Sequence, residues 1–254
     1  MGEEKEVSLS LPGEWALKQA FGPVLGELGE DMKKLYAHGR DKILIAGFKK
    51  IKNKDDGKSA NLRVTRDVFW NGSFTDESIC AEYFGGILAS SRSKDGKDDS
   101  AVFFIDLIKS LSSNQLKSHY LIYTALNQLL ISNSEKANLN PGQSTEINKE
   151  TVYLSLLEIN EILENADLGR ELHALHSKGL IYSFQTKSHK ISEEQILPYV
   201  EVRPTPLGIQ LYAVAHNDLE KWRQYSTYYF GEFSEVQKAE YFEESIEKLV
   251  ERTK

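Results

Sequence analysis

The sequence predicts a mostly α protein with two parts, a helical bundle over residues 1–135 and a winged-helix-like unit with a small β-hairpin over residues 145–254. Three observations predict this fold. Apolar residues recur at helical spacing through most of the first part. A polar stretch around Asn140-Pro141-Gly142 marks a boundary. Beyond it, signals for a helix, a hairpin and a second helix follow in that order between Asp167 and Asn217.

The first part is predicted to open with a short helix over residues 12–20 and then one long amphipathic helix. Apolar residues from Val24 to Ile51 keep helical spacing over roughly seven turns. Glutamates lie near the start and lysines near the end, as the helix dipole favours. Such a helix would be roughly 40 Å long, so part of its apolar stripe is expected to project from the bundle.

Further helices complete the predicted bundle. Thr75 is expected to cap a helix with one apolar face, and Ser112-Ser113 to cap a nearly all-apolar, centrally buried helix over Gln115–Ile131. Cys80 lies on the apolar face of the first, which predicts a buried structural thiol rather than a nucleophile. Shorter helices are predicted over 62–70 and 100–111. The large residues expected in the core are Tyr83, Phe84, Leu88, Leu121 and Leu126.

The second part is predicted from its helix-capping residues, turn residues and short strand patterns. Thr151–Asn165 is expected to be helical, and a second helix with Leu168, Leu172 and Leu175 ends at Gly179. Strands over 180–184 and 199–203 enclose a polar wing over 185–194, and Thr205-Pro206 begins the next helix. An acidic helix over 234–252 closes the chain.

Composition limits the class of protein. The chain has 254 residues, of which 40% are hydrophobic and 27% charged, values typical of a globular protein. No apolar run approaches the ~20 residues that a membrane span needs. The N-terminus lacks a signal-peptide pattern, and a single Cys80 excludes an intrachain disulfide. These features predict a cytoplasmic protein.

The net charge of −7 hides an asymmetry. Residues 33–66 contain eleven Lys or Arg and three Asp, a charge of +8, which leaves −15 for the remainder. Such a split can mark an anion-binding face, although a long solvated helix followed by a polar loop gives the same count. The candidate nucleic-acid or anion-binding residues are Lys49, Lys50, Lys52, Lys54, Arg63 and Arg66.

No motif for catalysis or cofactor binding is found. The sequence has no glycine-rich phosphate loop, no G-x-S-x-G elbow and no H-E-x-x-H pair. His173 and His176 could present two imidazoles on one helical face, but a third metal ligand is not identifiable. We therefore predict a non-enzymatic protein without a cofactor or metal.

Binding of another macromolecule is the remaining class. The helix before the wing has offsetting charges, whereas phosphate binding generally requires a surplus of Lys and Arg, so protein binding is favoured over DNA binding. A projecting helix predicts self-association, as a dimer, or binding of a partner protein. The alternative is that the acidic C-terminal helix folds back over the stripe. The candidate interface residues are Leu28, Met32, Leu35, Trp222, Tyr225 and Tyr229.

Six segments together resemble the Abi-alpha family of bacterial abortive-infection proteins. They are FGPVLGELGED at 21–31, residues 68–77, YFGGILASSR at 83–92, LSSNQL at 111–116, GLI at 179–181 and TPLG at 205–208. Their order and spacing match over most of residues 20–216, although Thr65 replaces the usual proline before the short helix. The resemblance implies a cytoplasmic, mostly helical bacterial protein of phage defence and carries over no catalytic residue.

The sequence thus predicts a non-enzymatic phage-defence or regulatory protein that acts through macromolecular binding, most simply protein–protein binding. The alternative is a nucleic-acid-binding protein that uses the basic 33–66 region and the winged-helix-like unit.

Overall fold

The computed structural model describes residues 25–53, 55–164 and 166–253, with side chains from Lys33 onward. The protein is mostly α-helical, as predicted. The helices are α1 (Leu25–Lys50), α2 (Leu62–Gly72), α3 (Ser78–Ser90), α4 (Val102–Ile108), α5 (Ser113–Ser132), α6 (Ser144–Ile147), α7 (Leu156–Ile162), α8 (Leu168–Ser177), α9 (Pro206–Ala215) and α10 (Ile246–Thr253). Short 3₁₀ turns cover Ser134–Lys136 and Leu219–Gln224. The predicted short helix over 12–20 lies outside the described residues.

Six strands accompany the helices: β1 (Ser59–Ala60), β2 (Arg92–Ser93), β3 (Val152–Ser155), β4 (Ile181–Lys190), β5 (Ile196–Pro204) and β6 (Phe242–Glu243). β1 and β2 form a small antiparallel pair. The other four form one antiparallel sheet in the order β4-β5-β3-β6.

Close contact between α1 and α3 depends on glycine. A Cβ atom at Gly85 would lie 2.7 Å from the nitrogen of Gly47 and 2.8 Å from the carbonyl oxygen of Ile43, and one at Gly86 would collide with the carbonyl oxygen of Ala215 in α9. The Gly85-Gly86 pair therefore lets α3 touch a helix on each side.

The α3 helix is buried on all sides, whereas the sequence predicted one apolar face. Every residue from Ile79 to Ala89 is buried, because α1, α4, α5 and α9 all contact the helix. The prediction that Thr75 is the N-cap is also wrong. The N-cap is Glu77, and the Thr75 hydroxyl instead accepts a bond from the Glu77 backbone N–H at 3.2 Å.

The structure confirms that α5 is a buried helix capped at Ser112. The Ser112 hydroxyl accepts a bond from the Gln115 backbone N–H at 3.2 Å, and the Gln115 side chain accepts one from the Ser112 N–H at 2.9 Å. This reciprocal capping box fixes the start of the helix. The helix is buried over most of its length. The predicted core residues Tyr83, Phe84, Leu88, Leu121 and Leu126 are all buried.

The region predicted as a helix over Thr151–Asn165 begins instead with strand β3. Val152 and Leu154 point into the core and pair with Val202 and Val200 of β5. This two-residue alternation, rather than helical spacing, governs Val152–Ser155, and only Leu156–Ile162 is helical.

The predicted order of helix, hairpin and helix is found in α8, β4–β5 and α9. Gly179 adopts a φ of 69° at the end of α8, and the Thr205 hydroxyl caps α9 through the Gly208 N–H at 3.1 Å. The hairpin is longer than predicted. The expected wing over 185–194 is largely strand, because β4 pairs with β5 as far as Lys190 and Ile196.

The predicted acidic helix over 234–252 is wrong for most of its length. Only Ile246–Thr253 is helical, because the buried rings of Phe230, Phe233 and Phe242 tie the preceding chain to the core in an irregular path. Leu249 of α10 packs on Leu197 and Tyr199 of β5. This helix therefore covers the sheet, and the alternative in which it folds back over α1 is also wrong.

One hydrophobic cluster extends from Ile43 of α1 to Phe242 of β6 and includes residues on both sides of the predicted boundary. The division into 1–135 and 145–254 stays a prediction. Within the part of the chain that is described, no helix combines the length and the apolar character that crossing a bilayer demands.

Candidate functional site

The C-terminal half of α1 packs small residues inward and large apolar residues outward. Gly39, Ile43, Ala46 and Gly47 are buried. Leu44, Ile45 and Phe48 are 44, 55 and 54% exposed. At roughly 100° per residue, these three side chains lie on the side opposite the buried residues. We call Leu44, Ile45 and Phe48 the outer face of α1.

This outer face was not identified from the sequence, which placed the apolar stripe of α1 on other residues. Ile43 and Ala46 of the predicted stripe are buried against α3. Of the predicted interface residues on α1, Leu35 is 37% exposed, whereas the side chains of Leu28 and Met32 lie outside the described part of the chain. A helical wheel that allowed for glycines on the inner face could have revealed the outer face.

An aromatic cluster lies where α1 meets the α2–α3 connection. The rings of Tyr36 and Phe74 have centroids 5.4 Å apart, and those of Trp70 and Phe74 are 6.1 Å apart and edge-on. Trp70 and Phe74 are both exposed. The cluster adds a second solvent-facing apolar surface.

The predicted interface residues near the C-terminus behave differently from one another. Tyr225 is fully buried and its hydroxyl donates to the carbonyl oxygen of Tyr123, so its assignment to an interface is wrong. Trp222 is half-buried beneath the Arg223 guanidinium, 4.5 Å from the ring centroid. Tyr229 is exposed and donates a hydrogen bond to Glu232 at 2.9 Å.

The candidate anion-binding residues are paired with acidic side chains. The nitrogen–oxygen distances are 3.7 Å for Lys49–Glu235, 2.6 Å for Lys52–Asp218, 2.9 Å for Arg63–Asp99 and 2.7 Å for Arg66–Asp67. Hydrogen bonds to Asp218 and to Tyr228 raise the pKa of Lys52 above its ordinary value. Lys54 lies outside the described residues. These pairs reduce the positive field that the sequence predicted for the basic region.

Only 11% of the Lys50 side chain is exposed, so little of this candidate residue is accessible to an anion. Its ammonium pairs with the buried Glu82 carboxylate, donates to the Glu82 carbonyl oxygen at 2.7 Å and lies 4.4 Å from the Phe233 ring centroid. Burial lowers its pKa to about 8, although the Glu82 carboxylate opposes this change. The pair joins the end of α1 to α3 and the C-terminal segment.

Two histidines are part of the buried core. His119 bonds through one ring nitrogen to the Tyr83 hydroxyl at 2.5 Å and through the other to the Gly208 carbonyl oxygen at 3.2 Å. His216 bonds through Nδ1 to the Tyr212 carbonyl oxygen at 2.8 Å. Burial lowers the pKa of each imidazole to about 3. Both side chains are therefore neutral near pH 7.

The other residues with possible chemistry are less organised. His173 lies edge-on to Phe184, with ring centroids 4.9 Å apart. Among the described residues, no group of three or more His, Cys, Asp or Glu side chains could hold a metal ion. Cys80 is buried, and burial raises the pKa of its thiol.

A groove of about 690 Å³ opens between α7, the turn of the β4–β5 hairpin and the C-terminal segment. We call it the C-terminal groove. Three exposed apolar side chains, Leu157, Ile196 and Tyr241, line it. Its acidic residues are Glu158, Glu161 and Glu240. Sequence reasoning missed this groove because its walls come from segments far apart in the chain.

The Glu158 carboxylate holds one wall of the groove in place. It accepts hydrogen bonds from the backbone N–H groups of Glu240 at 2.6 Å and Tyr241 at 3.0 Å. Among the described residues of the lining, the basic one is Arg252, whose guanidinium nitrogen lies 3.2 Å from a carboxylate oxygen of Glu243. The uncompensated charge of the groove is therefore negative.

Comparison with known proteins identifies no relative. No family model matches the chain, and no curated protein or solved structure matches it.

Proposed function

We propose that this chain is a phage-defence or regulatory protein that acts by protein–protein contact through the outer face of α1. The observation that carries the proposal is the inverted packing of α1. A surface helix ordinarily buries its large apolar residues and exposes polar ones. Here Gly39, Ala46 and Gly47 are inside together with Ile43, whereas Leu44 and Ile45 are exposed on the outer face.

Exposed apolar side chains that lie next to one another favour association. Burying apolar surface contributes roughly 25 cal/mol per Å², and adjacent large residues form the kind of patch that marks contact sites. The outer face supplies Leu44 and Ile45 as two such residues on a helix whose inner side is anchored by close packing on α3. The surface is therefore rigid before it binds, which lowers the entropic cost of association.

The biological setting of the proposal comes from the resemblance to the Abi-alpha family. The resembling segments include the glycine pair of α3, the capping residues of α5 and the Thr205-Pro206 start of α9. These are packing and capping positions, so they support a shared fold more directly than a shared mechanism. Phage defence is accordingly the part of the proposal that needs a test in cells.

The experiment is a plaque assay with bacteria that express the parent, Ile45→Glu or Leu62→Glu. Leu62 is 84% exposed at the start of α2, so its variant is a matched control for adding a charge to a surface apolar position. Circular dichroism should show all three proteins folded. We expect the parent and the control to reduce plaque numbers and Ile45→Glu to lose the effect. Equal protection by all three would contradict the proposal.

A second candidate function is nucleic-acid binding by the C-terminal part. The succession β3, α7, α8 and the β4–β5 hairpin, with β5 between β3 and β4, has the order of a winged helix. In that fold the second helix and the wing contact nucleic acid. The exposed basic residues on or directly next to these elements are Arg170, Lys178, Lys187, Lys190 and Arg203.

Salt dependence tests this second candidate. Binding of labelled duplex DNA or RNA should be strong at low ionic strength and should weaken steeply with added salt, because phosphate contacts release counterions. Replacing Lys178 and Lys190 by Glu should abolish it, whereas Lys49→Glu should change it little. A parent protein that binds neither polymer at low salt would exclude this function.

A further inference from the structure

We infer that the C-terminal groove binds a basic amphipathic segment of a partner protein. This inference goes beyond the proposed function, because the groove and the outer face of α1 are different surfaces. The groove lies between α7, the turn of the β4–β5 hairpin and the C-terminal segment, whereas α1 packs on α2 and α3. The groove holds about 690 Å³ and combines exposed apolar side chains with acidic ones.

The walls of the groove are strongly acidic. Eight Glu, one Lys and no other charged residue occur in the three segments that form most of the walls, namely 156–164, 191–197 and 237–244. The one Lys, Lys238, pairs with Glu232 at 2.7 Å. Arg252, which also lines the groove, pairs with Glu243. Both basic side chains are therefore neutralised within the chain.

Two carboxylates of the lining have no such partner. Glu161 and Glu240 are exposed, and neither forms an ion pair within the part of the chain that the structure describes. A cleft lined by charges of one sign concentrates the opposite charge. A Lys or Arg of a partner could therefore pair with Glu161 or Glu240 without breaking an existing ion pair.

The apolar part of the lining selects a segment that also carries large apolar side chains. Leu157 and Ile196 are 63 and 60% exposed, and Tyr241 is exposed as well. Covering these side chains would remove apolar surface from water. Small-molecule sites enclose most of their ligand, whereas Leu157 and Ile196 are more than half open to solvent. The groove therefore suits a peptide segment that lies along it.

The walls are fixed by hydrogen bonds within the chain. The Glu158 carboxylate holds the C-terminal segment as described above, and the Tyr241 carbonyl oxygen accepts a bond from the Ser155 N–H at 3.0 Å. The Ile191 N–H donates to the Gln195 carbonyl oxygen at 2.9 Å, which closes the turn of the hairpin. A partner therefore does not have to order these walls, which lowers the entropic cost of binding.

Other occupants match the groove less well. Nucleic acid and anionic lipid would be repelled by the same carboxylates. A second copy is not selected by charge, because Arg40 and Lys49 of α1 already form ion pairs within the chain. Residues 1–24 contain four Glu and two Lys, so they are not selected by charge either.

The test measures binding of a fluorescein-labelled peptide by fluorescence anisotropy, with the full chain in each case. The peptide has about four helical turns of Leu and Lys, with Leu on one face. One control peptide has Glu in place of Lys, and another has Ser in place of Leu. The groove variants are Glu161→Gln/Glu240→Gln and Leu157→Ser. Their matched controls are Glu220→Gln and Leu62→Ser, which change exposed residues outside the groove.

We expect the parent and both control variants to bind the basic peptide with similar dissociation constants, while circular dichroism shows every variant folded. Each groove variant should bind it about tenfold more weakly, because one loses the attracting charge and the other loses apolar contact. Both control peptides should bind the parent more weakly than the basic peptide does. Ile45→Glu should bind the basic peptide as the parent does, so the proposed function and this inference can fail independently.

Three results would overturn the inference. The first is a parent that does not bind the basic peptide. The second is equal binding by the groove variants and their controls, because attraction to the overall charge of −7 would then be the cause. The third is self-association of the parent that Leu157→Ser abolishes, because the occupant of the groove would then be a second copy.

Discussion

Replacing Lys50 by Met should strongly destabilise the fold, because it removes the partner of a buried carboxylate. The Lys50 ammonium pairs with Glu82, and it also donates to the Glu82 carbonyl oxygen at 2.7 Å. Met keeps most of the aliphatic side chain, so the loss of packing is small. Removing one member of a buried ion pair typically costs about 3 to 5 kcal/mol. That is a large share of the roughly 5 to 15 kcal/mol by which a protein is stable.

The neighbouring residue provides the control. Lys49 is exposed, and its Nζ lies 3.7 Å from Oε1 of the exposed Glu235. Lys49→Met should therefore lower the free energy of unfolding by less than about 1 kcal/mol. The double variant Lys50→Met/Glu82→Leu should recover much of the loss, because apolar residues of similar volume can replace a buried pair at little cost. The interaction free energy between Lys50 and Glu82, obtained from this double-mutant cycle, should then be roughly 2 to 3 kcal/mol.

Urea unfolding followed by circular dichroism measures these differences, provided that the slope with urea stays the same among the variants. Our reasoning about the buried pair would be refuted if Lys50→Met were as stable as Lys49→Met. It would also fail if the double variant were no more stable than Lys50→Met, because the carboxylate would then not be the source of the cost.

Two further predictions concern the core. His119 and His216 are buried, and their pKa values are about 3, whereas the pKa of an imidazole in an unfolded chain is near 6.5. Between these two values the unfolded chain binds more protons than the folded chain. The free energy of unfolding therefore falls as the pH falls from 6.5 toward 3. Lowering the pH from 7.5 to 5 should cost about 2 kcal/mol for each histidine in urea melts, and unchanged stability at pH 5 would argue against their burial. Gly86→Ala should cost about 1 to 3 kcal/mol because the added methyl collides with the backbone of Ala215. Gly169→Ala in the half-buried first turn of α8 should be nearly neutral, because the added methyl would approach only the Asp167 side chain, at 3.3 Å, and thermal melts can check this contrast.

Helix positions and caps could be read from the sequence because their causes are local. The capping box at Ser112 and Gln115 and the Thr205-Pro206 start are formed within four residues. Strand β3 was missed because four alternating residues merge with the start of α7, and its partner β5 lies far along the chain. The irregular C-terminal segment was missed because apolar residues from Val236 to Leu249 keep helical spacing, although Phe242 packs in the main core and Leu249 packs on Leu197 and Tyr199.

The candidate site could be predicted only in part. The sequence pointed to α1 as a contact helix, but periodicity alone assigns large apolar residues to the inner side. Close packing of Gly47 on Gly85 turns the side of α1 that carries the glycines inward, so Leu44 and Ile45 lie on the opposite side. Tyr225 is the opposite case, because it was predicted to lie in an interface and is buried in the core. An aromatic-rich stretch is typical of both cores and interfaces, and only the tertiary structure decides between them.

The central claim is that the outer face of α1 binds protein, and the average mass in sedimentation equilibrium tests it most directly. For the parent, the mass should rise above 28.8 kDa as the concentration increases through the micromolar range. In Ile45→Glu it should remain at the monomer value, and Leu62→Glu should follow the parent. A parent mass that stays at 28.8 kDa at every concentration, or an Ile45→Glu variant that associates as the parent does, would contradict the account.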